Sequence, residues 1–140
     1  MGARRPEDTG FSLIEMLLIM IVIGILAAIA IPLFLTQRAK AHDTSTQADV
    51  SALGKELAAY FVDGTGPVTL DFAAQLGSVV VSDGSWSSTF GLTEGTGPPA
   101  YGESANLDDP KAWCVALTNP AGRIEDFSFS AKAGLAAETC

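Results

Sequence analysis

Glu15 is the residue whose type and position most clearly indicate chemistry. It directly precedes the segment from Met16 to Leu35, which is apolar apart from Gly24 and Pro32. An ionisable carboxylate beside such a run is costly at membrane depth and by default indicates a functional role. In the alternative interpretation, Glu15 lies at the membrane interface and favours the positive end of the helix dipole.

Cleavage of the chain between Gly10 and Phe11 would give Glu15 a partner. The new amine of Phe11 would lie one helical turn from the Glu15 carboxylate, close enough to neutralise it. The same amine on a neighbouring subunit could serve equally well. Gly10 has no Cβ and suits an extended chain in a tight protease cleft, although a lone glycine in a polar tail is ordinarily a turn or a flexible joint.

The other reactive side chains form no catalytic or metal-binding pattern. His42 is the only histidine, and the sequence contains no nucleophile-elbow or phosphate-binding glycine motif. Asp108 and Asp109 precede Pro110 as in a turn or helix start, and two adjacent carboxylates supply too few ligands for calcium. We therefore expect no enzyme activity, no metal and no cofactor. A net charge of −8 argues against direct nucleic-acid binding.

Cys114 and Cys140 are the only cysteines, and both lie in the C-terminal third. An even number of cysteines in an exported domain indicates one disulfide in an oxidising compartment. On the chain-entropy model, closing this loop of about 26 residues contributes roughly 3–4 kcal/mol to the free energy of unfolding. The alternative is a free terminal thiol that links two chains.

The apolar segment predicts one membrane span. Its roughly 20 residues rise about 30 Å as a helix, the thickness of a hydrocarbon core. It is longer than the apolar region of a cleaved secretory signal, although Ala28-Ile29-Ala30 resembles that cleavage pattern. Because a disulfide needs an oxidising compartment, we expect the N-terminal tail in the cytoplasm and the C-terminal domain outside.

Beyond Thr36 the pattern becomes amphipathic, with an apolar stripe at helical spacing formed by Val50, Leu53, Leu57 and Phe61. The stop signal at 63–67 ends a helix that we predict from about Phe11 to Val62. Gly24 and Pro32 should bend or loosen its apolar half.

The rest of the chain predicts short strands separated by turns. They cover 78–82, 86–92, 113–118 and a final strand containing Phe127 and Phe129. A short helix between Asp71 and Gly77 precedes them. The predicted fold class is α+β, with the long helix packed against a small antiparallel sheet. Four aromatic side chains are expected in the core rather than in a carbohydrate platform: Trp86, Trp113, Phe127 and Phe129.

The run Gly10-Phe11-Ser12-Leu13-Ile14-Glu15 resembles the processing signal of type IV prepilins and of the pseudopilins of secretion systems. The resemblance continues through Gly24, the run from Leu26 to Pro32, and Gln37-Arg38. It implies that a prepilin peptidase cuts after Gly10 and N-methylates Phe11, and that Glu15 acts in filament assembly. Family leaders are more often net basic, whereas here two acidic residues balance Arg4 and Arg5.

The resemblance implies the pilin roll, in which the long helix packs against the small antiparallel sheet, and we divide the chain into four parts. These are a leader peptide at 1–10, a transmembrane and filament-core helix at 11–35, its amphipathic half at 36–62, and a β-rich globular region at 63–140. In pilins the stretch between Gly24 and Pro32 can lose helicity when subunits pack. Pilins often hold their C-terminal region with a disulfide, which agrees with a bridge between Cys114 and Cys140.

The function implied by the resemblance is that of a structural filament subunit. Such a subunit is held in the cytoplasmic membrane as a precursor and is trimmed by the peptidase. An assembly platform and a motor ATPase then polymerise it with its own copies into an extracellular pilus. We expect a major pilin; the alternatives are a minor pilin or a pseudopilin of a type II-like secretion system. A different class is a membrane-anchored or secreted binding domain or enzyme that uses the apolar segment only for export.

Overall fold

The computed structural model describes residues 10–64, 66–72, 77–98, 105–107 and 109–140. Most of the predicted leader, the interior of the predicted short helix before Gly77, and Asp108 lie outside these ranges. The chain divides into two compact units, residues 1–36 and residues 37–140, which are described in turn.

The described part of the first unit contains residues 10–12 and the N-terminal part of one helix, α1, which spans Leu13–Asp63. It begins after Ser12, whose carbonyl accepts hydrogen bonds from the N–H groups of Glu15 and Met16 at 3.1 and 3.2 Å. Ser12 and Glu15 have the spacing of a capping box, which favours a helix start here. The structure therefore places the start two residues after the predicted one.

Gly24 and Pro32 lie inside α1, and the residues on both sides of them are helical. Pro32 has no N–H, so the carbonyl one turn earlier loses its usual partner. The hydroxyl of Thr36 donates to the Pro32 carbonyl at 3.0 Å. Neither residue ends the helix in the single chain.

The second unit contains the rest of α1 and two antiparallel sheets. The first sheet has the order β1-β2-β3, formed by Thr69–Asp71, Ser78–Ser82 and Ser87–Gly91. The second has the order β4-β5-β6-β7, formed by Ala105–Asn106, Cys114–Thr118, Asp126–Ser130 and Gly134–Ala136. A bridge between Gly97 and Thr118 connects the segment after β3 to β5.

The α+β class is confirmed, but the strand inventory differs from the prediction. The strand at 78–82 is right, whereas the strand with Phe127 and Phe129 is not the last, because β7 follows it. The described residues form two sheets rather than one. Strands β1, β4 and β7 have two or three residues each, too few to show an alternating pattern in the sequence.

The core lies between α1 and both sheets. Val50, Leu53 and Leu57 of α1 are fully buried, while Phe61 is partly buried at the edge of the cluster. The sheet side chains that meet them include Val79, Val81, Val115, Leu117 and Phe127. A Cβ on Gly54 would overlap the Phe129 side chain, so glycine is what allows β6 to approach the helix this closely.

The aromatic side chains divide between core and surface. Trp113 and Phe127 are buried, and Trp113 stacks between Phe61 and Phe129 at ring distances of 6.1 and 6.0 Å. The core prediction is wrong for Trp86, which is 37% exposed. Trp86 precedes β3 and stacks on Tyr60 with a distance of 5.7 Å between the ring centroids.

Cys114 and Cys140 form a disulfide with a Cα–Cα distance of 5.9 Å. The bond ties the C-terminal residue to the start of β5, next to the buried Trp113. It leaves no free cysteine in the described part of the chain. The segment after β7 is thereby fixed to the second sheet.

Candidate functional site

The N-terminal candidate site is the short non-helical segment before α1 together with the first helical turn. Gly10, Phe11 and Ser12 are exposed, and Phe11 is 70% exposed. Among the described residues beyond its chain neighbours, none has an atom within 4 Å of the position that a Cβ on Gly10 would occupy. The residues on both sides of the Gly10-Phe11 peptide bond are therefore exposed in the described part of the chain.

Glu15 lies in the first turn of α1, where the N-terminal end of the helix favours a negative charge. Within the described ranges, its carboxylate has no hydrogen bond and no ion pair. Phe11 lies four positions earlier, so an amine created there could meet the carboxylate if the helix extended by half a turn. In the uncut chain this nitrogen is an amide, which carries no charge.

The apolar surface that follows Glu15 is not covered by any described residue of the chain. The large apolar side chains from Phe11 to Leu35 are 42–82% exposed. Among described helices, only α1 is long and apolar enough to cross a membrane, and none of its most apolar 18-residue window is buried. A surface of this size and character needs either lipid or other protein around it.

Polar side chains on α1 hold two loops of the second unit. Asp43 is 9% exposed, and its Oδ1 accepts hydrogen bonds from the N–H groups of Arg123 and Ile124 at 2.8 and 3.1 Å. Asp49 accepts two bonds from Thr93, at 2.8 Å from the N–H and 3.2 Å from the hydroxyl. These residues were not singled out from the sequence. The only indication in the sequence is that Asp43 and Thr46 extend, towards the N-terminus, the helical spacing of the apolar stripe that begins at Val50.

Asp83 organises the turn between β2 and β3. Its Oδ1 accepts hydrogen bonds from the N–H groups of Trp86 and Ser85 at 2.7 and 2.8 Å, and the Tyr60 hydroxyl donates to Oδ2 at 3.0 Å. These donors, with those of Trp86 first, lower the pKa of Asp83 to about 2. Partial burial, and then the Asp83 carboxylate, raise the pKa of Tyr60.

The described residues contain no cluster of three or more histidine, cysteine or acidic side chains that could hold a metal ion. Asp109 is described and accepts a hydrogen bond from the Lys111 N–H at 2.8 Å, as in a turn. His42 is half-buried on α1 and lines an open pocket with Arg38 and Glu94. That pocket was not predicted from the sequence, because its walls are distant along the chain.

Residues 6–31 match the family model of the prokaryotic N-terminal methylation motif. The matched range contains the exposed Gly10-Phe11 bond, Glu15 and Gly24. It ends one residue before Pro32. The motif therefore covers the candidate site and most of the exposed apolar half of α1.

Two curated proteins resemble the chain over part of its length. The type IV major pilin protein PilA of Myxococcus xanthus is 41% identical over 49 residues, which are 35% of this chain and 22% of that protein. The type II secretion system core protein G of Pseudomonas aeruginosa is 32% identical over 60 residues, which are 43% of this chain and 42% of that protein. Each match thus spans less than half of the relative's length. No solved structure matches the chain.

The methylation motif, the long helix packed on antiparallel sheets and these two relatives agree with one another. The N-terminal region of the chain thus carries the prokaryotic N-terminal methylation motif and is similar to a type IV pilin and to a type II secretion pseudopilin.

Proposed function

We propose that this chain is the major subunit of a type IV pilus, trimmed between Gly10 and Phe11 and polymerised through α1. The proposal is supported by the Glu15 carboxylate, which has no bonded partner among the described residues and lies at the start of an exposed apolar helix, four residues after the exposed Phe11. The proposed role is structural and involves no catalysis.

Cleavage after Gly10 creates a positively charged amine at Phe11 that can pair with the Glu15 carboxylate. A prepilin peptidase removes residues 1–10 and N-methylates the new terminus at Phe11. A methylated amine still carries a positive charge, so it can pair with a carboxylate in a low-dielectric environment, where the interaction is strong. Glu15 of the same subunit or of a neighbour accepts that charge during assembly.

Burial of the apolar half of α1 among copies of itself holds the filament together. Apolar burial contributes about 25 cal/mol per Å² relative to water, but lipid solvates the same surface before assembly and reduces the net gain. Extraction from the membrane therefore needs work, which an assembly platform and a motor ATPase supply. The stretch between Gly24 and Pro32 loosens as the helices pack, because neither residue supports a helix well.

The precursor is a single-pass protein of the cytoplasmic membrane with its C-terminal unit outside. The disulfide between Cys114 and Cys140 supports this orientation, because such bonds persist in oxidising compartments. After assembly the acidic second unit faces the exterior of an extracellular pilus.

A pseudopilin of a type II-like secretion system is the second candidate. The similarity to core protein G favours it, since that match covers a larger share of the relative than the match to the pilin does. A major pilin forms abundant long surface filaments, whereas a pseudopilin forms short ones. Mass spectrometry of sheared surface filaments separates the two: this chain should be the dominant protein of the sheared fraction.

The first experiment is the mass of the N-terminal peptide of the mature protein from native cells. We expect an N-methylated Phe11. A terminus at Met1 would show that the chain is an uncut anchored protein. A terminus at Ile31 would show a secreted domain cut after Ala28-Ile29-Ala30.

A further inference from the structure

The second unit contains an open pocket of 240 Å³ between α1 and two loops. Its lining residues are Arg38, His42, Glu94, Gly95, Asn119 and Ala121. Arg38 and His42 come from α1, Glu94 and Gly95 from the segment after β3, and the others from the turn after β5. The pocket therefore exists only in the folded unit.

Asn119 gives the pocket a fixed floor. It is 1% exposed, and its Nδ2 donates to the Glu94 carbonyl and to the Thr96 hydroxyl, both at 3.4 Å. Its Oδ1 accepts from the Ala121 N–H at 3.1 Å. Gly95 has a φ of +84°, and a Cβ there would lie 3.2 Å from Asn119 Oδ1, so the wall needs glycine. One buried amide thus holds both loops in place.

Within the described part of the chain, the charged side chains of the pocket lack partners. No ion pair or side-chain hydrogen bond engages Arg38, His42 or Glu94 within the described residues. Arg38 and His42 are four positions apart on α1 and so present their nitrogen donors on one face. Glu94 supplies a carboxylate on the opposite wall. The pocket therefore offers donors for an anion and an acceptor for a cation.

Sequence position brings this pocket close to the membrane surface. Arg38 follows Leu35, the last residue of the apolar run, by three positions of the same helix, a rise of about 4.5 Å. The polar headgroup layer on each side of a bilayer is about 5–7 Å thick. Because three residues of chain span at most about 10 Å, Arg38 is within reach of lipid phosphates when the apolar run fills the hydrocarbon core.

We propose that the pocket binds the headgroup of an aminophospholipid, with its phosphate on Arg38 and His42 and its ammonium group on Glu94. A guanidinium donates to phosphate in a bidentate manner, and an imidazole N–H donates in either protonation state. A headgroup with phosphate alone would leave Glu94 unpaired beside an anion. The inference rests on the proposed membrane-held precursor and adds a lipid ligand to it.

The test uses the full-length chain in detergent, titrated with phosphatidylethanolamine and followed by native mass spectrometry. We expect one bound lipid at saturation and binding about tenfold weaker to phosphatidylglycerol, which lacks the ammonium group. Arg38→Gln and Glu94→Gln should each weaken binding of phosphatidylethanolamine by about tenfold. Lys40→Gln is the matched control, because Lys40 is an exposed cation of the same helix that does not line the pocket.

Equal binding of the two lipids, or a Glu94→Gln variant with unchanged affinity, would overturn the proposal. So would soluble glycerophosphoethanolamine that binds as tightly as the lipid, because the ligand would then come from solution. Flotation with phosphatidylethanolamine vesicles tests the underlying function separately. A chain that floats but shows no lipid preference contradicts this inference alone, whereas a chain that does not float contradicts the membrane-held precursor as well.

Discussion

At the scale of single residues, Glu15 and Asp83 represent two opposite situations for a carboxylate. Asp83 is surrounded by donors from its own turn and from Tyr60, and these bonds stabilise its charged form. Glu15 has the positive end of α1 nearby but no bonded partner among the described residues. The hydrogen-bonded Asp83 carboxylate therefore contributes to folding. An ionisable side chain such as Glu15, without a bonded partner beside an apolar run, instead indicates a functional role.

Neutralising Glu15 should block assembly and leave earlier steps intact. We expect Glu15→Ala to insert in the membrane and to be cut after Gly10, but to form few or no filaments. Glu15→Gln is the matched variant, since it keeps the size of the side chain and removes only its charge. Electron microscopy of surface filaments and the N-terminal mass measure both steps. Normal filaments from either variant would refute the proposed pairing with the Phe11 amine.

Asp83 should give the fold an acid-sensitive contribution. Its pKa is about 2 in the folded chain against an ordinary value of 3.8. A lowered pKa contributes stability that is complete above the ordinary value and is lost as pH falls through the folded value. Thermal unfolding of the detergent-solubilised chain should therefore show a melting temperature that declines between about pH 4 and pH 2. Asp83→Asn should flatten that decline, and an unchanged slope would contradict the assignment.

At the scale of elements, α1 changes character along one face. Towards its C-terminal end the face is apolar and fully buried at Val50, Leu53 and Leu57. Nearer the apolar run the same face carries Asp43 and Thr46, which are buried but bind loops instead of packing in the core. The helix therefore holds loops of the second unit through hydrogen bonds and the sheets through apolar contacts.

Removing the Asp43 carboxylate should weaken the second unit. Asp43→Ala leaves the N–H groups of Arg123 and Ile124 without their acceptor, and we expect a loss of about 1–3 kcal/mol in the free energy of unfolding. Asp43→Asn keeps an acceptor oxygen and should lose less. Urea denaturation followed by tryptophan fluorescence measures both. Asp63→Ala, at an exposed position at the end of α1, is the control, and an equal effect there would show that Asp43 has no special role.

At the scale of the whole molecule, the two units have different requirements. Residues 1–36 expose an apolar helix, while residues 37–140 have a closed core between α1 and two sheets. The disulfide belongs only to the second unit. Membrane anchoring and folding of the exported unit should therefore respond to different substitutions.

Loss of the disulfide should destabilise the second unit and leave anchoring unchanged. We expect Cys114→Ser with Cys140→Ser to lower the free energy of unfolding by about 3–4 kcal/mol, because the unfolded chain regains loop freedom. Denaturation of the oxidised and the reduced wild-type protein provides the matched comparison. Cleavage after Gly10 and vesicle flotation should match the wild type. Reduction without any change in stability would contradict this role of the bond.

Features that depend on neighbours along the chain could be predicted from the sequence. The helix, its apolar half and the strand at 78–82 follow from local spacing or residue type, and the N-terminal methylation motif follows from the resemblance of the run Gly10 to Glu15 to prepilin signals. The cysteine pair was predictable because only one intramolecular pairing exists. The predicted α+β class was correct because it depends on the long helix and the longer strands, although the three short strands β1, β4 and β7 were missed.

Features that depend on distant residues were decided only by the tertiary structure. The split into two sheets, the exposure of Trp86, the loop contacts of Asp43 and the pocket around Asn119 each bring together segments that are far apart in sequence. Their signals are weak because a single polar residue on a helix has the same local pattern whether it faces solvent or a loop. Periodicity reports which face of an element is apolar, whereas packing determines what that face meets.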